Sequence, residues 1–204
     1  MIDVIVVANG TSKRFGKNKL LEIINEEPVI IKTLKTIFQI ENIGNIILVT
    51  NQEVIVEINK FNFKKIKFIN GGETRSSSVY NGLQLVENDY VIIHDGARPF
   101  ASKKIFNDII KNFKLNDAVI PIQKIPNCLK KIEKKGIITL NRADYFTTQT
   151  PQGFKSSIIK KEYQNYNEFW FDDCQALETK NYKIKLIEGC SKNIKITYTS
   201  DLHK

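Results

Sequence analysis

Residues 2–19 read IDVIVVANGTSKRFGKNK. The first six are an apolar run of the kind that forms a strand buried on both faces. The next twelve hold two glycines, four cations and no acid. A glycine-bearing loop that leaves a buried strand often receives phosphate, yet neither standard phosphate pattern is present. A Walker loop needs GxxxxGK[ST], whereas five residues separate Gly10 from Gly16 and Asn18 follows Lys17. GxGxxG is also absent. What remains is a turn whose backbone N–H groups can face an anion, flanked by Lys13, Arg14, Lys17 and Lys19. From these residues alone, a wrapped triphosphate and a solvated basic loop are equally good readings.

The run 2–7 is the first of a series. Strand-like segments follow at 45–50, 65–70, 89–95 and 117–122, and helical patterns at 28–40, 52–61, 75–87 and 102–113 lie between them. Pro28 suits a helix start. Strands alternating with helices predict a three-layer α/β fold with a mainly parallel central sheet. Ligands of such sheets bind beyond the carboxyl ends of the strands, near a switch in strand order, so the loops to inspect are 8–19, 70–76 and 95–100. After residue 122 the pattern changes. CLKKIEKKGIITL (128–140) predicts a β-hairpin with a polar turn at Glu133–Gly136, too short and polar to be a domain and therefore a projecting arm. Segments 183–189 and 193–197 read as further strands. The chain is expected to be one domain over 1–204, with the arm at about 123–145.

Composition narrows the function. Of 204 residues, 42% are hydrophobic and 26% charged, as in ordinary soluble domains. No apolar run approaches the roughly 18 residues of a membrane span, and a first strand at residue 2 leaves no room for a signal peptide. No membrane partner is expected. Three cysteines without CxxC spacing point to a reducing cytoplasm. The net charge of +9 and a pI near 9.3 first suggest nucleic acid. The lysines, however, are scattered, and no aromatic-and-basic stripe appears, so a small anionic substrate is the better reading and no nucleic-acid partner is expected. Only Arg14, Arg75, Arg98 and Arg142 among the 31 basic residues are arginines. In a lysine-default chain they mark places where a planar, bidentate fork matters.

Two later stretches carry similar chemistry. In GGETRSSSVYNGL (71–83), paired glycines allow close backbone approach, Ser76–Ser78 can cap the next helix, and a further serine can face a nucleobase or sugar. Gly82 implies close packing against a neighbour. HDGARPF (94–100) ends the most apolar strand, where Asp95 either holds Mg²⁺ bridging phosphates or pairs with Arg98 to shape a turn. His94 reads as a structural residue.

Taken in order, VVANGTSKRFGKNKLL, GGETRSSSVYNGL, HDGARPF, QTPQGF, DDCQALE and NIKITYTSDL resemble the 2-C-methyl-D-erythritol 4-phosphate cytidylyltransferase family, close to the ribitol-5-phosphate cytidylyltransferases. The resemblance implies a Rossmann-like nucleotidyltransferase fold, a homodimer joined through the β-arm, CTP as donor, Mg²⁺ as cofactor and a polyol phosphate as acceptor. It implies that Ala8, Asn9 and Gly10 open the CTP loop, with Asn9 where alanine is usual, and that Arg14 and Lys19 are catalytic. The loop is about two residues short, with Asn18 where proline is usual, so Lys17 competes with Lys19. Gly72, Glu73 and Ser78 match the cytidine-binding stretch, with Glu73 where aspartate is common. Asp95, Gly96 and Arg98 match the motif that meets metal, nucleotide and acceptor. Arg142 matches the arm arginine that reaches the partner subunit's substrate, and Lys195 the lysine on the sugar phosphate. Asn127–Cys128 stand where Asp-Thr is usual, which places Cys128 at an acceptor-binding position. Ribitol phosphate is the alternative acceptor, and a catalytically silent nucleotide- or nucleic-acid-binding protein is the alternative class.

Overall fold

The computed structural model describes residues 1–10 and 15–203. Its elements run β1 (Ile2–Val7), β2 (Ile23–Ile24), β3 (Glu27–Pro28), α1 (Val29–Phe38), β4 (Ile43–Thr50), α2 (Gln52–Ile58), β5 (Ile66–Asn70), α3 (Arg75–Leu83), β6 (Tyr90–Asp95), α4 (Lys103–Asn112), β7 (Ala118–Lys124), β8 (Leu129–Glu133), β9 (Gly136–Leu140), β10 (Phe146–Thr148), β11 (Gln152–Lys155), α5 (Ser156–Tyr163) and β12 (Ile184–Glu188). Eight strands form one sheet. At its centre β1 pairs in parallel with β4 on one side and β6 on the other, and β5 continues beyond β4. The chain thus moves outward from β1 through β4 and β5, then returns to the far side of β1 as β6. That reversal is a topological switch point, with its crevice at the carboxyl ends of β1 and β6.

Beyond β6 the sheet has one antiparallel interruption. β11 lies between β6 and β7, antiparallel to both. β10 pairs with the later part of β7, and the chain between β10 and β11 contains a cis Thr150–Pro151 bond. β12 closes the other edge of β7 in parallel. β8 and β9 pair only with each other, in register from Leu129↔Leu140 to Glu133↔Gly136, with Gly136 at φ +139° in the turn. The expected hairpin is present, and its Ile132, Ile137 and Ile138 are exposed.

Side-chain alternation along β1 explains the layering. Ile2, Val4 and Val6 enter a core shared with α1, α2 and α4, while Ile5 enters a second core with α3 and α5. Gly82 lets α3 lie close on the sheet, since a Cβ there would meet Ile5 and Val49 methyls at 2.9 Å.

Several expectations need correction. α2 and α3 end at Ile58 and Leu83, earlier than the periodicity predicts, and α3 passes into tight turns in which the Gln84 and Leu85 N–H groups donate to Asn81 and Gly82 C=O. Segment 193–197 forms no strand. Its alternation is real, because Ile194 and Ile196 pack on the core while Lys195 turns to the crevice and Asn193 is buried against Gln149 and Thr150. Among the described residues its backbone-to-backbone tie to the strand-end loop is one bond, from the Ile196 N–H to Ala97 C=O. β2, β3, β10, β11 and α5 were not expected at all, because their sequence is short, polar or broken by proline.

At the opposite end of the sheet, buried Asp3 holds three elements together. It accepts from the backbone N–H groups of Asn45, Glu87 and Asn88 at 2.8, 2.7 and 3.0 Å, and from the Asn45 and Asn88 amides at 3.0 and 2.7 Å. Burial works against its charge, but these donors outweigh burial and hold the carboxyl below its ordinary range. Asp3 therefore stabilises the fold above the ordinary carboxylate pKa, and that contribution disappears as pH falls through its lowered native value. Asp3→Ala is expected to lower unfolding free energy by about 3 kcal/mol in urea titrations at pH 7, and by less at pH 3.

Candidate active site

The crevice at the switch point contains a cavity of about 330 Å³, within the range of small-molecule sites. Its walls come from three strand ends. Val7, Ala8, Asn9 and Gly10 follow β1, Gly72 to Arg75 and Ser78 follow β5, and Asp95 and Ala97 end β6. Phe15, Lys19 and Leu20 close one side, and Lys195 and Thr197 another.

Each wall is shaped by local bonding. The loop after β5 is tied by a capping box in which Thr74, not one of the three serines, is the N-cap of α3. The Thr74 hydroxyl accepts from the Ser77 N–H, and the Ser77 hydroxyl accepts from the Thr74 N–H. Ser78 accepts from the Gly72 N–H at 3.0 Å and donates to Thr74 C=O at 2.9 Å, so its hydroxyl shapes the loop as well as lining the cavity. Across the cleft, the Asn9 amide donates to Gly72 C=O at 3.1 Å. Gly71 has to be glycine here, because a Cβ would collide with that amide.

The electrostatic centre is Asp95. Its carboxylate is buried and meets three cations: Arg75 Nε at 3.2 Å, Lys195 Nζ at 2.8 Å and Arg98 Nε at 3.5 Å. Burial alone would raise its pKa, but Lys195, Arg75 and Arg98 together hold it well below the ordinary carboxylate range. Arg75 in turn forks onto Asp173, at 2.8 and 2.7 Å, and the Tyr163 hydroxyl donates to the same carboxylate at 2.6 Å. Arg98 donates to Asn193 C=O at 2.8 Å. Behind Asp95, the Thr150 hydroxyl accepts from the Asp95 N–H at 3.0 Å and lies 3.3 Å from His94 Nδ1.

Of the residues expected from sequence, Ala8, Asn9, Gly10, Lys19, Gly72, Glu73, Ser78, Asp95 and Lys195 share this cavity. Gly96 instead packs against Ile30 and Ala8, with its N–H on Val7 C=O, and is not among the residues lining this cavity. Its smallness serves strand-end packing. Arg98 lies behind Asp95, not on the wall. Cys128 is exposed just before the hairpin, and exposed Arg142 just after it donates to Pro126 C=O, so neither reaches this cavity. Arg14 falls outside the described residues. Lys17 is mostly exposed and pairs with Glu22 at 2.6 Å, while Lys19 lines the cavity. Asp173, Tyr163, Thr150 and Asn193 were missed as site residues. Asp173 sits in the quoted DDCQALE motif, and the scarcity of arginine pointed to its partner Arg75, but only the fold joins positions 98 residues apart.

Comparison with known proteins decides the family. A model of IspD, 2-C-methyl-D-erythritol 4-phosphate cytidylyltransferase, matches residues 2–204. The chain belongs to that family. Its relatives include the 2-C-methyl-D-erythritol 4-phosphate cytidylyltransferase of Bacillus cereus, 35% identical over 99% of this chain and 95% of the relative, and that of Prochlorococcus marinus, 35% identical over 98% and 95%. Among solved structures, the 4-diphosphocytidyl-2C-methyl-D-erythritol synthase of Anaerococcus prevotii superposes with a TM-score of 0.88 at 30% identity, covering 99% of this chain and 92% of that one.

As a member of this cytidylyltransferase family, the chain has a cavity lined by Lys19, Arg75 and Lys195. No three His, Cys, Asp or Glu side chains gather as a metal site among the described residues. Asp95 fits Mg²⁺ only as the protein share of a set completed by substrate oxygens, the usual arrangement for this ion. His94, fully buried, is pushed down to about 4, first by desolvation, with Arg98 and Lys195 adding to it against Asp95 and the Arg98 carbonyl. It is neutral at pH 7. The unfolded chain takes up its proton near pH 6.5 while the folded chain resists until about 4, so stability falls as pH drops through that window. Wild-type protein is expected to lose up to about 3 kcal/mol more than His94→Asn between pH 7 and 4, measured by denaturant unfolding.

Proposed function

We propose that the chain transfers the cytidylyl group of CTP to 2-C-methyl-D-erythritol 4-phosphate, releasing pyrophosphate. The observation that carries this reading is a cation-lined cavity at the switch point of a chain matched by the family over residues 2–204. An oxygen of the acceptor's phosphate attacks the α-phosphorus of CTP. The new P–O bond forms as the α-phosphorus loses its bond to the oxygen bridging to the β-phosphorus, and pyrophosphate departs with that electron pair. A phosphate monoester has its second pKa near 6, so the nucleophile arrives already ionised and no general base is needed. Neutral, buried His94 is consistent with that.

The task is to bring together two anions and stabilise a charge-rich transition state. Lys19 is assigned to the triphosphate because it lines the cavity, whereas Lys17 is engaged with Glu22 outside it. Arg14 is assigned with it from the family motif. Ala8, Asn9, Gly10, Gly72, Glu73 and Ser78 are assigned to the nucleoside. Lys195 and Arg98 are assigned to the acceptor's phosphate, supported by their shared place around Asp95. Mg²⁺, held by Asp95 and the triphosphate, would supply further charge neutralisation. The exposed isoleucines of the hairpin support a homodimer through the arm, in which Arg142, and Cys128 beside it, serve the partner subunit's acceptor site. Three cysteines outside any disulfide support a cytoplasmic setting.

Lys19→Ala is expected to lower CTP-dependent pyrophosphate release about 10²- to 10³-fold, with Lys17→Ala within a few-fold of wild type. A large loss in Lys17→Ala with Lys19→Ala near wild type would reassign the lysine. The same assay with 2-C-methyl-D-erythritol 4-phosphate and with ribitol 5-phosphate is expected to show turnover with the first. Turnover with ribitol 5-phosphate alone would change the acceptor, and none with either would overturn the activity.

A further inference from the structure

Arg75 is the arginine whose work the proposed reaction leaves unexplained. It opens α3, Tyr163 ends α5, and Asp173 lies in the short helical turn 173–176, so the group ties three separate segments. The Asp173 side chain is fully buried and takes three donors: two nitrogens of the Arg75 fork and the Tyr163 hydroxyl. The remaining Arg75 nitrogen, Nε, donates to Asp95 Oδ1 at 3.2 Å. The other oxygen of Asp95, Oδ2, faces Lys195 at 2.8 Å and Arg98 at 3.5 Å. Arg98 Nε is buried with no hydrogen-bond partner among the described residues. The carboxylate is therefore aligned from the Arg75 side, and its second oxygen is left to orient the two cations that face it.

Building on the acceptor-phosphate role assigned above to Lys195 and Arg98, we propose that Arg75 is a positioning residue: clamped by Asp173 and Tyr163, it fixes the Asp95 carboxylate that sets Lys195 and Arg98 in place. Charge supports this division. Three cations face two carboxylates, and Asp173 is matched to Arg75 in bidentate geometry, so the surplus positive charge belongs to Lys195 and Arg98. Removing Asp173 would leave Arg75 leaning on Asp95 alone, in competition with both. Lysine cannot replace this arginine, because a point charge cannot donate to Asp173 twice and to Asp95 from fixed directions.

The test measures KM for CTP and for the acceptor, with kcat, in the pyrophosphate-release assay on Tyr163→Phe, Arg75→Lys and Lys195→Ala enzyme. Tyr163→Phe removes one hydroxyl. It is expected to raise the acceptor KM about tenfold, the value of one hydrogen bond to a charged group, and the CTP KM by less, because Asp95 serves the triphosphate only through Mg²⁺. Arg75→Lys is expected to raise it further, and the double variant no further than Arg75→Lys alone. If Arg75→Lys does not fold, Tyr163→Phe carries the test. Unchanged acceptor KM in the folded variants, or a CTP KM rising in step with it, would overturn the inference. Lys195→Ala separates this from the underlying assignment. If it leaves the acceptor KM unchanged, the assignment itself fails; if it raises KM while the clamp variants do not, only the clamp is wrong.

Discussion

The buried carboxylate of Asp95 is the constraint on which the site depends. A lone charge at that depth would be strongly unfavourable, and what keeps it ionised is cations drawn from three distant parts of the chain. Arg75 comes from the start of α3, Arg98 from the turn after β6 and Lys195 from the loop after β12. One charge at the end of the central strand pair thus gathers the cations that an anionic substrate needs. It also keeps them from repelling one another when the site is empty. The same arrangement explains why segment 193–197 gives up a strand ladder. Its polar residues are committed to Asp95, Gln149 and Thr150, and a ladder would turn the backbone donors elsewhere.

How much of this was legible in the sequence depended on the range of the interaction that fixes each part. The identity of β1, β4, β5, β6, β7 and the helices between β3 and β7 follows from local periodicity, and the crevice follows from the switch in strand order. The hairpin was visible because its alternation and its Gly136 turn are local. β10, β11 and α5 were not visible, because two short antiparallel strands separated by Thr150–Pro151 carry too few residues for a period to appear. They are strands because β7 and β6 offer them edges. The Thr74–Ser77 capping box was hidden for a related reason, since serine at the third position replaces the glutamate or glutamine of the usual pattern.

The site residues divide the same way. Lys19, Asp95 and Lys195 were recognisable from motif position, and each faces the cavity or its edge. Gly96 carries the right motif but a packing role, because a strand end crossing Ala8 and Ile30 has no room for a side chain. Asp173 and Tyr163 could not be found by spacing, since their meaning lies in Arg75. What the sequence did hold was an anomaly of usage: an arginine, in a chain that otherwise chooses lysine, beside the paired glycines.

Departures from the family pattern are absorbed by compensating contacts. Asn9, where alanine is usual, spans the gap between the loops after β1 and β5 by bonding to Gly72 C=O, and Gly71 leaves the space for it. Asn18, where proline is usual, anchors the shortened loop. Its amide donates to Glu53 at 2.7 Å, and its carbonyl oxygen accepts from the Leu20 N–H at 3.3 Å. Proline restrains a loop through its fixed φ, whereas asparagine does so here through one hydrogen bond to α2 and one within its own loop. Both bonds flank Lys19 and leave it on the cavity wall while Lys17 turns outward to Glu22. Loop length alone therefore does not decide which lysine lines the cavity. The anchor beside it does, and in this chain that anchor is a side-chain amide instead of a ring.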